Sequence, residues 1–240
     1  MPRYTSDVLL LALETTSHHG SAALLRDGVV LQTIPLDARL YSTQLWGGMD
    51  ALLAAAGMKR DALEAIAVAH GPGSFTGVRL GLTTAKALVE ARGLAAISIS
   101  TLVAVAAQGA SSDNDRGPIV AVLDASRDEC YLGLYPHGPL QFARDPTGES
   151  EGEPAELLLP VAAAEARLRS LNWPVWTQNP ALAERLRLGR SASTFLASPL
   201  LAPWIGQLGD RLLREGQRLD ALRLDANYIR RSDAELFRKI

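Results

Sequence analysis

The chain has 240 residues, 48% of them apolar, enough to bury the core of one large domain or two small ones. Its 24 Lys and Arg stand against 26 Asp and Glu; the resulting net charge of -2 excludes a general attraction to phosphate backbones, so any RNA substrate is expected to be carried by another chain. Cys130 is the single cysteine, which excludes an intrachain disulfide and a thiolate metal cluster and points to a reducing, cytoplasmic compartment; no stretch reaches ~18 uninterrupted apolar residues, so neither a membrane span nor a targeting segment is expected.

Residues 8–13, VLLLAL, are too short a run for a typical helix and read as a buried strand ending at Glu14. After the polar turn TTSHHG, residues 21–25 and 29–34 read as two more strands around Asp27 and Gly28, a pair suited to the positive φ of a tight hairpin. The chain therefore opens with a three-stranded antiparallel meander. Over 43–56, Leu45, Met49, Leu52, Leu53 and Ala56 recur at three- and four-residue spacing and Gly57 offers a stop, which predicts a helix with one covered face. A short buried strand over 64–70, a helix from 74 or 75 to about 92 and a strand over 95–99 make a crossover that implies a parallel pair.

Ser100 is placed to cap a short helix over 101–108, and the polar GASSDNDRG that follows is the best domain boundary in the chain. The predicted division is 1–108 and 109–240, with the last segment expected to pack back on the first domain. Beyond Pro118, strands over 119–123 and 130–135 bracket the turn DASRDE and resemble the start of the first domain. Residues 136–154, rich in Gly, Pro and acids, read as a mobile excursion. Helices follow near 161–170, 180–188 and 200–215, with a strand around Val175. Trp173, Trp176 and Trp204 are expected to fill the second core. The Arg-rich last thirty residues are interleaved with acids and read as a solvated face.

Two constellations could carry chemistry. In ETTSHHGSAAL a carboxylate ends a strand and a hydroxyl-rich turn follows; such a hairpin can present N–H groups and hydroxyls to phosphate, but Thr15, Thr16 and Ser17 can equally satisfy the backbone of a turn. In HGPGSFTGVRLGLTTAKAL, Gly71 and Gly73 permit a tight turn and Ser74 or Thr76 can cap the helix, whose start suits an anion. Val78 follows Gly77 where a Walker A loop needs Lys, and Ser74 lacks the flanking glycines of a nucleophile elbow. Gly77, Gly81 and Ala85 make a smooth helix face, expected to let another helix pack closely. His18, His19, His70 and His137 lack the HxxxH spacing of a metal pair, and Cys130 reads as packing.

GPGSFTGVRLGLTTAKAL, LALETTSHHGSAALLRDG, STQLWGGMDALLAAAG, STLVAVA, VLDASRDECYLGLY and DANYIRR together resemble the TsaB (YeaZ) family. The resemblance is close over roughly the first 105 residues and around 120–135, and loose over 136–220. It implies an α/β fold of two subdomains in the actin-like, sugar-kinase (ASKHA, RNase H-like) architecture, with mixed sheets flanked by helices. It also implies a non-catalytic partner of TsaD, the enzyme that transfers threonylcarbamoyl to the adenosine beside the anticodon of tRNAs reading ANN codons, the t6A modification. TsaE, an ATPase, joins the pair. The chain is expected to form a homodimer when alone, to meet tRNA only through the complex, and to need no cofactor of its own, ATP or ADP at the complex interface being left open.

By the same resemblance the helices over 43–56 and 74–92 form the partner surface, through Gln44, Leu45, Met49, Leu52, Phe75, Val78, Arg79, Gly81, Leu82 and Ala85. A vestigial nucleotide or anion site would comprise Glu14, Thr15, Thr16, Gly73, Ser74 and Asp124; no catalytic residue and no metal ligand is assigned. Two departures stand out: Ser42 where many relatives have His, and Glu14 where many have Asp. The competing readings are a stand-alone actin-like ATPase or phosphotransferase using Glu14 and Asp124 around a metal, and, weakest, a glycoprotease-type peptidase.

Overall fold

The structure, a computed structural model, describes residues 7–110, 117–144, 155–186 and 193–229. Most of the expected domain boundary, the second half of the excursion after Pro136 and the end of the Arg-rich C-terminal stretch, from residue 230 on, lie outside the described residues. The chain divides into two units, Met1–Ala104 with Ser198–Ala226, and Val105–Ala197 with Asn227–Ile240.

In the first unit β1 (Leu9–Glu14) pairs antiparallel with β2 (His19–Arg26), and β2 with β3 (Val29–Asp37). Asp27 and Gly28 both take positive φ, 52° and 74°, and close the β2–β3 hairpin as their types suggest. On the other side of β1 lie β4 (Ala65–Ala69) and β5 (Ala95–Ile99), both parallel to it, giving the order β3-β2-β1-β4-β5. Helices α1 (Tyr41–Ala55) and α2 (Phe75–Arg92) close the connections; α2 starts at the Ser74 cap and stops at Gly93, whose φ of 66° ends the helix.

Every residue of β1 is buried, and because both faces of the pleat are covered the strand is apolar from Leu9 to Leu13. Leu9, Leu11 and Leu13 join Leu45, Met49 and Leu52 of α1 and Val78, Leu82 and Ala85 of α2 in one core cluster. Leu10 and Ala12 face the opposite side, where α7 (Ala202–Arg214) lies against the sheet. Its backbone comes close because Gly206 and Gly209 carry no side chain: a Cβ on Gly209 would stand 2.6 Å from the Ala67 Cβ, and one on Gly206 3.1 Å from the Ala12 Cβ. The helix expected near 200–215 thus belongs to the first unit, and Trp204, on this helix, does not fill the second core. Fully burying each leucine of β1 is worth about 1.5–3 kcal/mol, so a helix on each face is what lets this strand exist.

The second unit repeats the layout without repeating the sequence. β6 (Ile119–Asp124), β7 (Glu129–Tyr135) and β8 (Glu156–Pro160) form an antiparallel meander; β9 (Val175–Thr177) and β10 (Thr194–Leu196) add parallel on the far side of β6, giving the order β10-β9-β6-β7-β8. Helix α5 (Val161–Leu171) follows the meander as α1 does, and α6 (Pro180–Arg185) occupies the place of α2. The core holds Val120, Val122, Cys130, Leu132, Val161, Leu168 and Val175, with Trp173 packed on it. Trp176 stacks on Phe195 with ring centroids 5.0 Å apart.

Two mixed sheets flanked by helices are the fold class the sequence implies. Three local expectations differ. Pro139–Arg144 is a helix, α4, inside the stretch read as an excursion, and its Phe142 ring lies 5.3 Å from that of Tyr135. β8 reads ELLLP with no alternation, and β10 is three residues long and exposed; neither carries a strand signal that periodicity can detect. The short helix after Ser100, α3 (Thr101–Ala107), forms as expected, with the Ser100 hydroxyl accepting from the Leu102 N–H at 3.2 Å.

Candidate partner surface and the acidic strand-end turn

Glu14, at the end of β1, is completely buried, and its own turn uses the carboxylate. Oε1 accepts from the Thr16 N–H at 2.5 Å, the Thr16 hydroxyl at 2.7 Å and the Ser17 N–H at 3.0 Å; Oε2 accepts from the Ser17 hydroxyl at 3.1 Å. Burial pushes the Glu14 carboxyl above its ordinary range, and these donors pull it part of the way back. Gly20 leaves room for the Tyr41 ring, whose hydroxyl donates to the Ser17 carbonyl at 2.6 Å. Burial first, and the Glu14 charge second, hold the Tyr41 phenol well above its usual range.

The same turn is locked against the start of α2. The Thr15 hydroxyl donates to the Gly77 carbonyl at 2.7 Å, and the Ser74 N–H donates to the Thr16 carbonyl at 2.7 Å. The Ser74 hydroxyl accepts from the Gly77 N–H at 3.4 Å. A Cβ on Gly77 would overlap the Thr15 carbonyl oxygen, and one on Gly73 would stand 2.7 Å from the Thr16 Cβ. Glu14, Thr15, Thr16, Gly73 and Ser74 are therefore together, as the anion-site reading requires, yet their polar groups serve one another. Glycine is needed here for close approach of two backbones of the chain itself.

Asp124 ends β6 in the second unit and does a parallel job. Its Oδ1 accepts from the Ser126 N–H at 2.7 Å, and its Oδ2 from the Asn179 side-chain amide at 3.1 Å. Asn179 in turn caps α6 through the Leu182 N–H. Ser126, Arg127 and Asp128 all take positive φ, and Arg185 of α6 pairs with Asp128. Each unit thus ties its acidic strand-end turn to the start of the crossover helix that follows.

The structure redistributes the expected partner residues. Leu45, Met49, Leu52, Val78, Leu82 and Ala85 are buried in the core of their own unit. Gly81 faces inward too: a Cβ there would stand 2.5 Å from the Thr15 hydroxyl and 3.4 Å from Val68. The smooth face of α2 is therefore the face that seats the helix on its own sheet, not one left open for a second helix. Gln44, Phe75 and Arg79 are exposed, and the Arg79 guanidinium lies 3.8 Å over the Phe75 ring. Trp46, on the other flank of Leu45 from Gln44, is 41% exposed, with Arg60 over its ring at 5.9 Å and Arg60 paired to Asp50. Trp46 is not among the residues expected from the sequence, although its place off the Leu45, Met49, Leu52 stripe is a signal of exposure.

Elsewhere, burial pushes the Cys130 thiol up to about 11, the state of a packing residue. His70 follows β4, and burial pushes its imidazole down to about 4 despite a hydrogen bond to the Asp225 backbone. Among the described residues no group of three His, Cys, Asp or Glu could hold a metal, and no helix is long and apolar enough to cross a membrane.

Residues 34–167 match the family model described as "TsaD: tRNA N6-adenosine threonylcarbamoyltransferase". The chain is 31% identical over 176 residues to the tRNA threonylcarbamoyladenosine biosynthesis protein TsaB of Escherichia coli, covering 70% of this chain and 73% of that protein. It is 36% identical over 127 residues to the TsaB of Bacillus subtilis, covering 52% of this chain and 54% of that one. Among solved structures, YeaZ from Pseudomonas aeruginosa superposes with a TM-score of 0.71 at 27% identity, over 92% of this chain and 99% of that one. With a shared fold over nearly its whole length and these identities, the chain belongs to the TsaB (YeaZ) family.

Proposed function

We propose that the chain acts in forming threonylcarbamoyladenosine on tRNA as a non-catalytic partner of a TsaD-type transferase. What supports this most directly is the exposed set on α1 and α2. Gln44, Trp46, Phe75 and Arg79 present two aromatic rings, each with an arginine over it, on helices whose opposite faces are fully used by the core. Aromatic and arginine side chains are the types that concentrate binding energy in a protein interface. The buried stripe of the same helices, from Leu45 to Ala85, is the floor that holds this surface in place.

The same surface pairs two copies when the transferase is absent; TsaE joins the complex, and tRNA is reached only through it. Nucleotide, where ATP or ADP takes part, binds at the complex interface, since Glu14 and Asp124 are engaged by their own turns. The work takes place in the cytoplasm, where tRNA is modified. Light scattering after size exclusion tests this reading, on the chain alone and mixed with TsaD of the same organism. A mixed complex that weakens at least tenfold in Phe75→Ala plus Arg79→Ala, with unchanged thermal stability and no ATP turnover by the chain alone, supports it. Absence of any complex, with or without TsaE and nucleotide, refutes it.

A further inference from the structure

The start of α2 carries Phe75 and, one turn on, Arg79 on its outer side. On its inner side it is held by a buried hydroxyl on a different element, 62 residues earlier in the chain: Thr15 Oγ1 donates to the Gly77 carbonyl at 2.7 Å. The turn around Thr15 is held on both sides by hydrogen bonds. Glu14 gathers the Thr16 and Ser17 donors, and the Thr16 carbonyl accepts from the Ser74 N–H just before the helix begins. Gly81, one helical turn on, has no side chain where the Thr15 hydroxyl lies, since a Cβ there would stand 2.5 Å from it. The Thr15 backbone carbonyl thus lies against Gly77 and its hydroxyl against Gly81, and the hydroxyl makes a directional contact with the helix.

We propose that Thr15 is a positioning residue: through its bond to the Gly77 carbonyl it fixes the first turn of α2, and so sets where the Phe75 and Arg79 pair meets the partner protein. The part concerning the partner rests on the functional reading above; the part concerning the helix does not. A hydroxyl that only fills space would be replaced without loss by the isosteric valine. A positioning hydroxyl would not, and serine would restore it.

The test uses the full chain with Thr15→Val and Thr15→Ser. Amide hydrogen exchange is followed in a peptide covering 74–82, with peptides from β4 and α7 as internal references, and affinity for TsaD is measured by calorimetry. In Thr15→Val, exchange in 74–82 is expected to quicken about fivefold, the factor a hydrogen bond of ordinary net strength supplies, while the reference peptides keep their protection. Affinity should fall by a similar factor, and Thr15→Ser should lie within about twofold of the parent on both readouts. Unchanged exchange in 74–82, a uniform rise in all three peptides, or a serine variant no better than valine overturns the positioning role. Selective exchange with unchanged affinity overturns its bearing on the partner. If the parent chain does not bind TsaD, the functional reading falls while exchange still judges the clasp. Should Thr15→Val fail to fold, Thr15→Ala removes the same bond without a new methyl and is read by the same outcomes.

Discussion

Replacing Glu14 by glutamine or by alanine separates the two things a buried carboxylate does here. Glutamine keeps an oxygen for the three donors now on Oε1, and its amide can donate to the Ser17 hydroxyl that now donates to Oε2, so all four contacts survive with one reversed. Alanine leaves the Thr16 N–H buried without an acceptor and empties the side-chain volume, a loss of about 2–4 kcal/mol. The charge acts in the opposite direction. Because burial raises the native pKa above the ordinary 4.5, the folded state favours the protonated acid. That contribution is fully present below about 4.5 and is lost as pH rises through the native value. Urea unfolding at pH 4.5, 5.5 and 7 should therefore show Glu14→Gln equal to or more stable than the parent at pH 7, with the difference shrinking as pH falls, and Glu14→Ala the least stable throughout. Glutamine as damaging as alanine at pH 7 would refute this account and indicate that the site needs a negative charge, as a bound cation would require.

Gly77→Ala must push the start of α2 away from the Thr15 carbonyl and should destabilise by roughly 1–3 kcal/mol in urea unfolding, despite alanine's better helix propensity; a stabilised variant would contradict the close approach. His70 should stay neutral down to about pH 4 in an NMR titration. Stability owed to it is complete above the ordinary 6.5 and is lost as pH falls toward 4, so His70→Gln should flatten the stability profile in that window. Cys130 should remain unmodified by iodoacetamide at pH 8 in the folded chain and react at once in urea; rapid native labelling would contradict its burial and raised pKa.

The contrast between the two helices of the partner surface shows how far periodicity reaches. The stripe of Leu45, Met49 and Leu52 says that one face of α1 is covered, but covering by the chain's own sheet and covering by another protein leave the same pattern in a sequence. Gly77, Gly81 and Ala85 pose the same ambiguity, and only the positions of Thr15 and Val68 resolve it. Trp46 is the complementary case: residue type suggests burial, and only its position off the apolar stripe signals exposure.

What the sequence determined by itself was local and periodic. The meander, the positive-φ pair at Asp27 and Gly28, a hydroxyl cap at Ser74 or Thr76 before α2 and the crossover from β4 to β5 follow from side-chain chemistry within a few residues, which acts the same way wherever the segment ends up. Tertiary structure alone decided that α7, more than a hundred residues past β5, covers the second face of the first sheet through Gly206 and Gly209. It alone decided that Glu14, Thr15 and Ser74 serve each other, and that β8 and β10 are strands at all. Those outcomes depend on which distant backbones pack together, and the free energy of such packing belongs to pairs of segments that no single stretch of sequence contains.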